Sequence, residues 1–86
     1  MKIRLRYFAS LREALGPGEE LDWADAPAAP TLGALRDHLI ARGGRHAELL
    51  ARPRPVRCAR NQTMGDEAAS VADGDEVAFF PPVTGG

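Results

Sequence analysis

Residues 2–9 alternate, with Ile3, Leu5 and Tyr7 on one side of an extended chain and Lys2, Arg4, Arg6 and, as the odd one out, Phe8 on the other. That two-residue period belongs to a strand with one face in a core. Glu76–Phe80 repeats it, Val77 and Phe79 taking the face opposite Glu76, Ala78 and Phe80. Between the two runs one stretch has a long helical stripe, Leu32, Leu35, Leu39 and Ile40, with Thr31 as its cap and Gly43-Gly44 as its stop after about Arg42. A chain of 86 residues buries roughly 60 to 65% of its unfolded surface and builds a single core. Sheet and helix must share it. The expected class is α+β, a mixed sheet of four to five strands packed on one main helix.

The other segments fill in that scheme. Ser10 is placed to cap a short helix, Leu11–Leu15, closed by Gly16-Pro17-Gly18, and Glu19–Ala24 then reads as a second strand with Leu21 and Trp23 inward. After the Pro/Ala loop 25–30 and the main helix, a helical turn over His46–Ala51 leads through Pro53 and Pro55 to a third strand, Val56–Asn61. Gln62–Ser70 reads as turns and short strand pieces, and Asp73-Gly74-Asp75 is a turn signal ahead of the last strand. The order ββαβ(β)β predicts one domain over residues 1–80, followed by a tail, 81–86.

Composition removes several classes of function. Eleven basic and twelve acidic side chains leave a formal net charge of −1, so the overall field does not attract nucleic acid. Seven arginines stand between Arg36 and Arg60 against two acids, Asp37 and Glu48, whereas Asn61 to Gly86 holds five acids and no base. Two readings fit that asymmetry: independently solvated charges, or a field that steers a partner. No aromatic residue interleaves with the arginines as an RNA-stacking platform requires. The start of the chain has no apolar signal region, and no stretch approaches about eighteen uncharged apolar residues. A cytoplasmic protein with neither membrane nor nucleic-acid partner is expected. Cys58 is alone and reads as a small strand side chain, and His38 and His46 lack a third ligand, so no metal is expected. No phosphate-binding glycine loop follows a strand, which leaves any ATP handling to a partner and no cofactor on this chain.

Two features resist a purely structural account. Phe8 and Phe80 share their strand faces with charged or small residues, which puts two aromatics on a wet face with Met64 as a possible third member, unless an edge or loop covers them. The second is the run Phe79-Phe80-Pro81-Pro82-Val83-Thr84-Gly85-Gly86. Two prolines withhold two N–H donors and fix φ, so the chain leaves the sheet after Phe80 as an extended arm. Gly85 and Gly86 bring no Cβ near the last carbonyl, which lets a narrow channel admit the arm and a nucleophile approach the terminal carbon. The reactive group would be the Gly86 carboxylate, after activation by adenylation. The alternative is an ordinary frayed terminus.

The closing run from Asp73 to Gly86, together with Phe8-Ala9, Leu11-Arg12-Glu13 and Asn61-Gln62, resembles the small-subunit, sulfur-carrier family of molybdopterin synthase across essentially the whole chain. Arg60, where that family commonly has an apolar residue, and the stretch Gly65–Ser70 depart from it. The resemblance implies a ubiquitin-like β-grasp fold. It implies that an E1-like enzyme adenylates Gly86 with ATP and that a persulfide relay, the sulfur donor, converts it to a thiocarboxylate. It implies that the arm, Pro81, Pro82, Val83, Thr84, Gly85 and Gly86, enters a large subunit within a heterotetramer of two small and two large subunits. There the sulfur passes to cyclic pyranopterin monophosphate to make molybdopterin. Phe8, Met64 and Phe80 then fall on the family's apolar partner surface, and this chain alone is expected to catalyse nothing. A thiamine-type sulfur carrier and a ubiquitin-like modifier also end in Gly-Gly, and an interaction module with an inert tail is the alternative from another class.

Overall fold

The first and last strands meet in the middle of one sheet. The computed structural model, which describes residues 1–82, runs β1 (Lys2–Tyr7), α1 (Ala9–Leu15), β2 (Gly18–Asp22), α2 (Leu32–Ile40), α3 (Gly44–Leu50), β3 (Arg57–Arg60), β4 (Thr63–Gly65) and β5 (Glu76–Phe80). The five strands are ordered β2-β1-β5-β3-β4. β1 and β5 are parallel, with Arg6 beside Ala78 and Tyr7 beside Phe79, while β1–β2, β3–β5 and β3–β4 are antiparallel. A parallel pair cannot be closed by a tight hairpin, so everything from α1 to β4 forms the crossover. α2 lies in that crossover and covers the sheet. This is the expected β-grasp, a mixed sheet around one main helix.

Alternation decides the core. Ile3, Leu5 and Tyr7 from β1, and Val77 and Phe79 from β5, are fully buried. They share one cluster with Leu32, Leu35 and Leu39 of α2, with Leu50 of α3 and with Trp23. Thr31 caps α2 as expected, its Oγ1 accepting from the Ala34 N–H at 3.1 Å. Gly18 is where β1 and β2 come too close for a side chain: its φ is 145°, and a Cβ would stand 2.1 Å from the Leu5 carbonyl oxygen.

Four expectations need correction. Ser10 does not cap α1, because the helix already begins at Ala9 and Phe8 is its N-cap without a side-chain hydrogen bond. Ala9 has φ 52°, which turns the chain sharply as soon as the Phe8 N–H has bonded the Phe79 carbonyl at 3.2 Å, so Ser10 lies inside the first turn. Phe8 is correspondingly just past β1 rather than within it. The second strand stops at Asp22, although Trp23 is still buried and donates its N–H to Met1 at 2.7 Å. The glycine pair opens a helix as well as closing one: Gly43 is the N-cap of α3, which starts at Gly44, ahead of the expected His46.

Arg36 was read as one of a run of solvated or steering charges, and it is 5% exposed. Its Nε donates to the Leu50 carbonyl at 2.7 Å, one terminal nitrogen donates to Ala51 and Arg54 carbonyls at 2.7 and 3.1 Å, and the other meets Glu67 at 2.8 Å. One guanidinium therefore closes the C-terminal end of α3, holds the loop after it and ties both to α2. A fork of several fixed donors suits carbonyls that would otherwise be buried unpaired. Arg36→Met should lower the unfolding free energy measured in urea by about 1–3 kcal/mol, the cost of unpaired buried acceptors. Arg52→Met, which removes a half-exposed partner of Asp37, should cost about 0–1 kcal/mol.

Candidate functional site

β5 is the central strand, and its outward side chains define a groove. The register sets Arg6, Ala78, Ala59 and Met64 in a row across β1, β5, β3 and β4, and places Arg57 beside Phe80. Phe8 stands just beyond the end of β1. Phe8, Ala59, Met64, Ala78, Phe80 and Pro81 form the apolar lining of a hollow of about 570 Å³. Phe8 is 41% and Met64 56% exposed, and Phe80 is half-buried. The aromatics of the wrong parity thus do lie on the outer face. Arg6 completes one wall, its guanidinium carbon 5.8 Å from the centre of the Phe8 ring and its charge 4.0 Å from Glu76.

Pro81 follows β5 directly and lines the groove, and Pro82 lines a smaller hollow beside it with Val56 and Cys58. The arm therefore leaves from the strand with neighbours on both sides. Val83, Thr84, Gly85 and Gly86 lie outside the described residues.

The lower end of the groove is held by Asp75, at 8% exposure. Its carboxylate accepts from Arg60 Nε at 2.5 Å, from the Ala72 N–H at 2.7 Å and from Asn61 Nδ2 at 3.1 Å. Asn61 also accepts from the Glu76 N–H at 3.0 Å. Arg60, the departure from the family pattern, is thus the countercharge of Asp75. Burial opposes ionisation of Asp75, but the bonds from Arg60, Ala72 and Asn61 together outweigh it and hold the carboxyl below its ordinary range.

Several other charges are spent locally. Arg52 donates to Asp37 at 2.6 Å and Arg42 pairs with Glu19. Asp66 accepts from the Ala68 N–H at 2.8 Å and Asp73 from the Lys2 N–H at 2.5 Å. With Glu67 on Arg36, Asp75 on Arg60 and Glu76 on Arg6, every carboxylate between Asn61 and Phe80 has a partner. Cys58 is buried, which raises its thiol pKa and makes it a poor nucleophile. His38 packs on Trp23, ring centres 5.5 Å apart, and His46 sits edge-on to Tyr7 at 6.2 Å. Burial pushes the pKa of His46 down. Among the described residues no three His, Cys, Asp or Glu side chains gather as metal ligands, and no helix is long and apolar enough to cross a membrane.

Three groove residues, Ala9, Ala59 and Gln62, are not legible in the sequence as members of this face. Gln62 was visible as a turn residue after Asn61, but its place on the rim depends on the β3–β4 pairing. Ala9 stands in the Phe8-Ala9 motif, but nothing in the sequence marks its left-handed backbone, which comes with the turn from β1 into α1.

The chain matches the ThiS family over residues 5–86. It belongs to that family. It is 43% identical over 84 residues to the molybdopterin synthase sulfur carrier subunit of Escherichia coli (strain K12), covering 98% of this chain and 99% of the relative. The protein of the same name from Haemophilus influenzae is 38% identical over 87 residues, again covering 98% and 99%. Among solved structures, SAMP1 from Haloferax volcanii, a small archaeal modifier protein, superposes with a TM-score of 0.75 at 27% identity, covering all of both chains. The sulfur-carrier resemblance read from the motifs is thereby upheld over the full length.

Asp75 supplies a pH test of the clamp. Its folded pKa lies below its unfolded one, so its contribution to stability is complete above the unfolded value, about 4, and is lost as pH falls through the folded value. Urea midpoints measured from pH 7 down to pH 3 should show the gap between wild type and Asp75→Asn widest at neutral pH and closing below about pH 4.

Proposed function

We propose that this chain is the sulfur-donating subunit of a molybdopterin synthase and that it carries sulfur as a thiocarboxylate on Gly86. In this reading an E1-like partner presents ATP, the Gly86 carboxylate displaces pyrophosphate, and the acyl-adenylate is attacked by a persulfide with loss of AMP. A thiol then cleaves the S–S bond and leaves the sulfur on Gly86. The arm next enters the active site of the large subunit, where the thiocarboxylate sulfur attacks a carbon of cyclic pyranopterin monophosphate with loss of an oxygen substituent, and water then cleaves the acyl–sulfur bond, leaving the sulfur on the product and a carboxylate on Gly86. Two deliveries make one dithiolene, which fits an assembly of two small and two large subunits. Acid–base groups come from the large subunit; ATP is used by the activating partner, and this chain holds no cofactor.

The observation that carries the reading is the origin of the arm. Phe80 is the last residue of the central strand, and Pro81 and Pro82 follow without a loop. The root is stiff, and from Pro81 to Gly86 the reach is at most about 20 Å. A domain whose chemistry lies in its tail needs such a launching point and an outer face for the partner. Phe8, Met64 and Phe80 supply that face, and Pro82, Val83, Thr84 and Gly85 the neck of the arm. The division into a domain, 1–80, and a functional tail, 81–86, follows, and a cytoplasmic location suits partners that use ATP and thiols. Kinship with a sulfur carrier subunit at 43% identity supports the substrate, and the word subunit in that name supports a larger partner.

A second reading, a protein modifier joined through Gly86 to amines, is favoured by the likeness to SAMP1. Intact mass spectrometry of the chain purified from its host separates the two. One oxygen exchanged for sulfur at Gly86 is expected, whereas isopeptide adducts without a thiocarboxylate would favour the modifier. Deleting Gly86 should abolish molybdopterin formation and leave the thermal midpoint unchanged; an active truncated chain would leave only an interaction module.

A further inference from the structure

Lys2 is the one lysine of a chain that holds ten arginines, and its place in the sheet matters more than its rarity. β1 and β5 run parallel, with Tyr7 beside Phe79, so Lys2 stands at the opposite end of the sheet from the arm. From Lys2 to Tyr7 and on from Phe79 to Pro81 is about seven strand residues, roughly 23 Å. The N-terminal ammonium of Met1 is at the same far end, 3.9 Å from Asp22 and 3.4 Å from the Trp23 carbonyl. An arm doubled straight back would need its full length, at most about 20 Å, merely to approach these amines. Pro81 and Pro82, with φ fixed, direct it the other way.

The arm root does carry positive charge. Arg6 lines the groove with Pro81, and Arg57 stands beside Phe80 and lines the hollow next to Pro82. Both are arginine, whose guanidinium stays protonated and offers no lone pair, whereas an ordinary lysine amine, with pKa about 10.4, is neutral in roughly one molecule in a thousand near pH 7.5. The other nucleophiles are shielded. Cys58 lines the same hollow as Pro82, but it is 7% exposed, its thiol donates to the Gly65 carbonyl at 3.5 Å, and burial pushes its pKa up. His38 and His46 pack against Trp23 and Tyr7 on the core side.

Under the sulfur-carrier reading, on which this inference rests, that placement has a chemical consequence. A Gly86 acyl-adenylate reacts with any amine that reaches it: nitrogen attacks the carbonyl carbon, the bond to the phosphate oxygen breaks, AMP leaves and the nitrogen gives its proton to solvent. An amine of the chain itself would close the tail into a ring and end its use as a carrier. Tethered beside the arm root, such an amine would compete at an effective concentration of order millimolar.

We propose that the chain keeps nucleophiles out of reach of its own activated carboxyl, and that Arg57 and Arg6 are selectivity residues, holding positive charge at the arm root in a form that cannot capture the acyl group meant for sulfur.

The test uses the full chain with Gly86 prepared as a thioester, an activated acyl group that needs no partner enzyme, in wild type, Arg57→Lys, Arg6→Lys and Asp22→Lys. The last variant has the same lysine count as the other two but puts the new amine at the far end, opposite Lys2. Intact mass separates the hydrolysed chain from the cyclised one, which is lighter by one water, and peptide mapping locates the amide. Folded wild type and Asp22→Lys should only hydrolyse. Arg57→Lys and Arg6→Lys should lose the thioester about tenfold faster or more, closing the ring at the new lysine, and the difference should vanish in urea, where placement is lost. Cyclisation of folded wild type or Asp22→Lys overturns the proposal, as does a lifetime within about twofold of wild type in either arm-root variant, or a difference that survives unfolding. A separate sample tests the reading beneath it: if wild type with its activating enzyme, ATP and a sulfur donor never gains sulfur on Gly86, the sulfur-carrier reading fails whatever the thioester lifetimes.

Discussion

The hydrogen bonds between β1 and β5 are the contact on which the rest depends. They join the first and last strands in parallel at the centre of the sheet, and a parallel pair forces the intervening chain to cross over the core. α2 is the part of that crossover with an apolar stripe, so it lands on the inner face. Among the described residues no helix covers the outer face. The residues after β5 leave from a strand that is bonded on both sides and stands at the centre of the sheet. In the proposed reading, where the chemistry lies in the tail, rigidity at the root limits the arm's entropy and so limits what is lost when a partner takes it up.

Electrostatics here serve the fold more than a global field. Arg36 is buried because α3 ends against α2, and its fork of donors is what the last carbonyls of α3 need. Asp75 is buried because the turn before β5 must be fixed against the β3–β4 hairpin, and Arg60 and Asn61 make its charge tolerable. Both charges stand at junctions between elements, where a hydrophobic contact would hold position less specifically. With those partners satisfied internally, the outer face is left apolar along Phe8, Phe80 and Met64, with Arg6 and Glu76 neutralising each other beside it.

Such a division of labour fits a carrier of the ThiS family. Among its described residues no three His, Cys, Asp or Glu side chains gather as metal ligands, and the sheet presents an apolar outer face beside the end of β5. A face meant for a partner differs from a core in one physical respect. It must remain soluble alone, which favours a small apolar groove bordered by charge, here Arg6 and Glu76, over an extended apolar patch.

The sequence by itself determined the two alternating strands, the apolar stripe of α2 and its Thr31 cap, because these follow from side-chain period and local bonding. It also made the arm legible, since proline and glycine act on the backbone directly, and with the motifs around it the family. Phe8 and Phe80 were legible as exceptions to parity. What it left open depended on distant residues. Whether Arg36 faced water could not be read from its neighbours in the chain, because the carbonyls it bonds come from another helix and the loop beyond it. Ser10 lost its capping role because the Phe8–Phe79 contact forces the turn one residue early. The groove itself belongs to the tertiary structure alone: Phe8, Met64 and Phe80 come from three separate segments, and only the pairing of β1, β5, β3 and β4 brings them onto one surface.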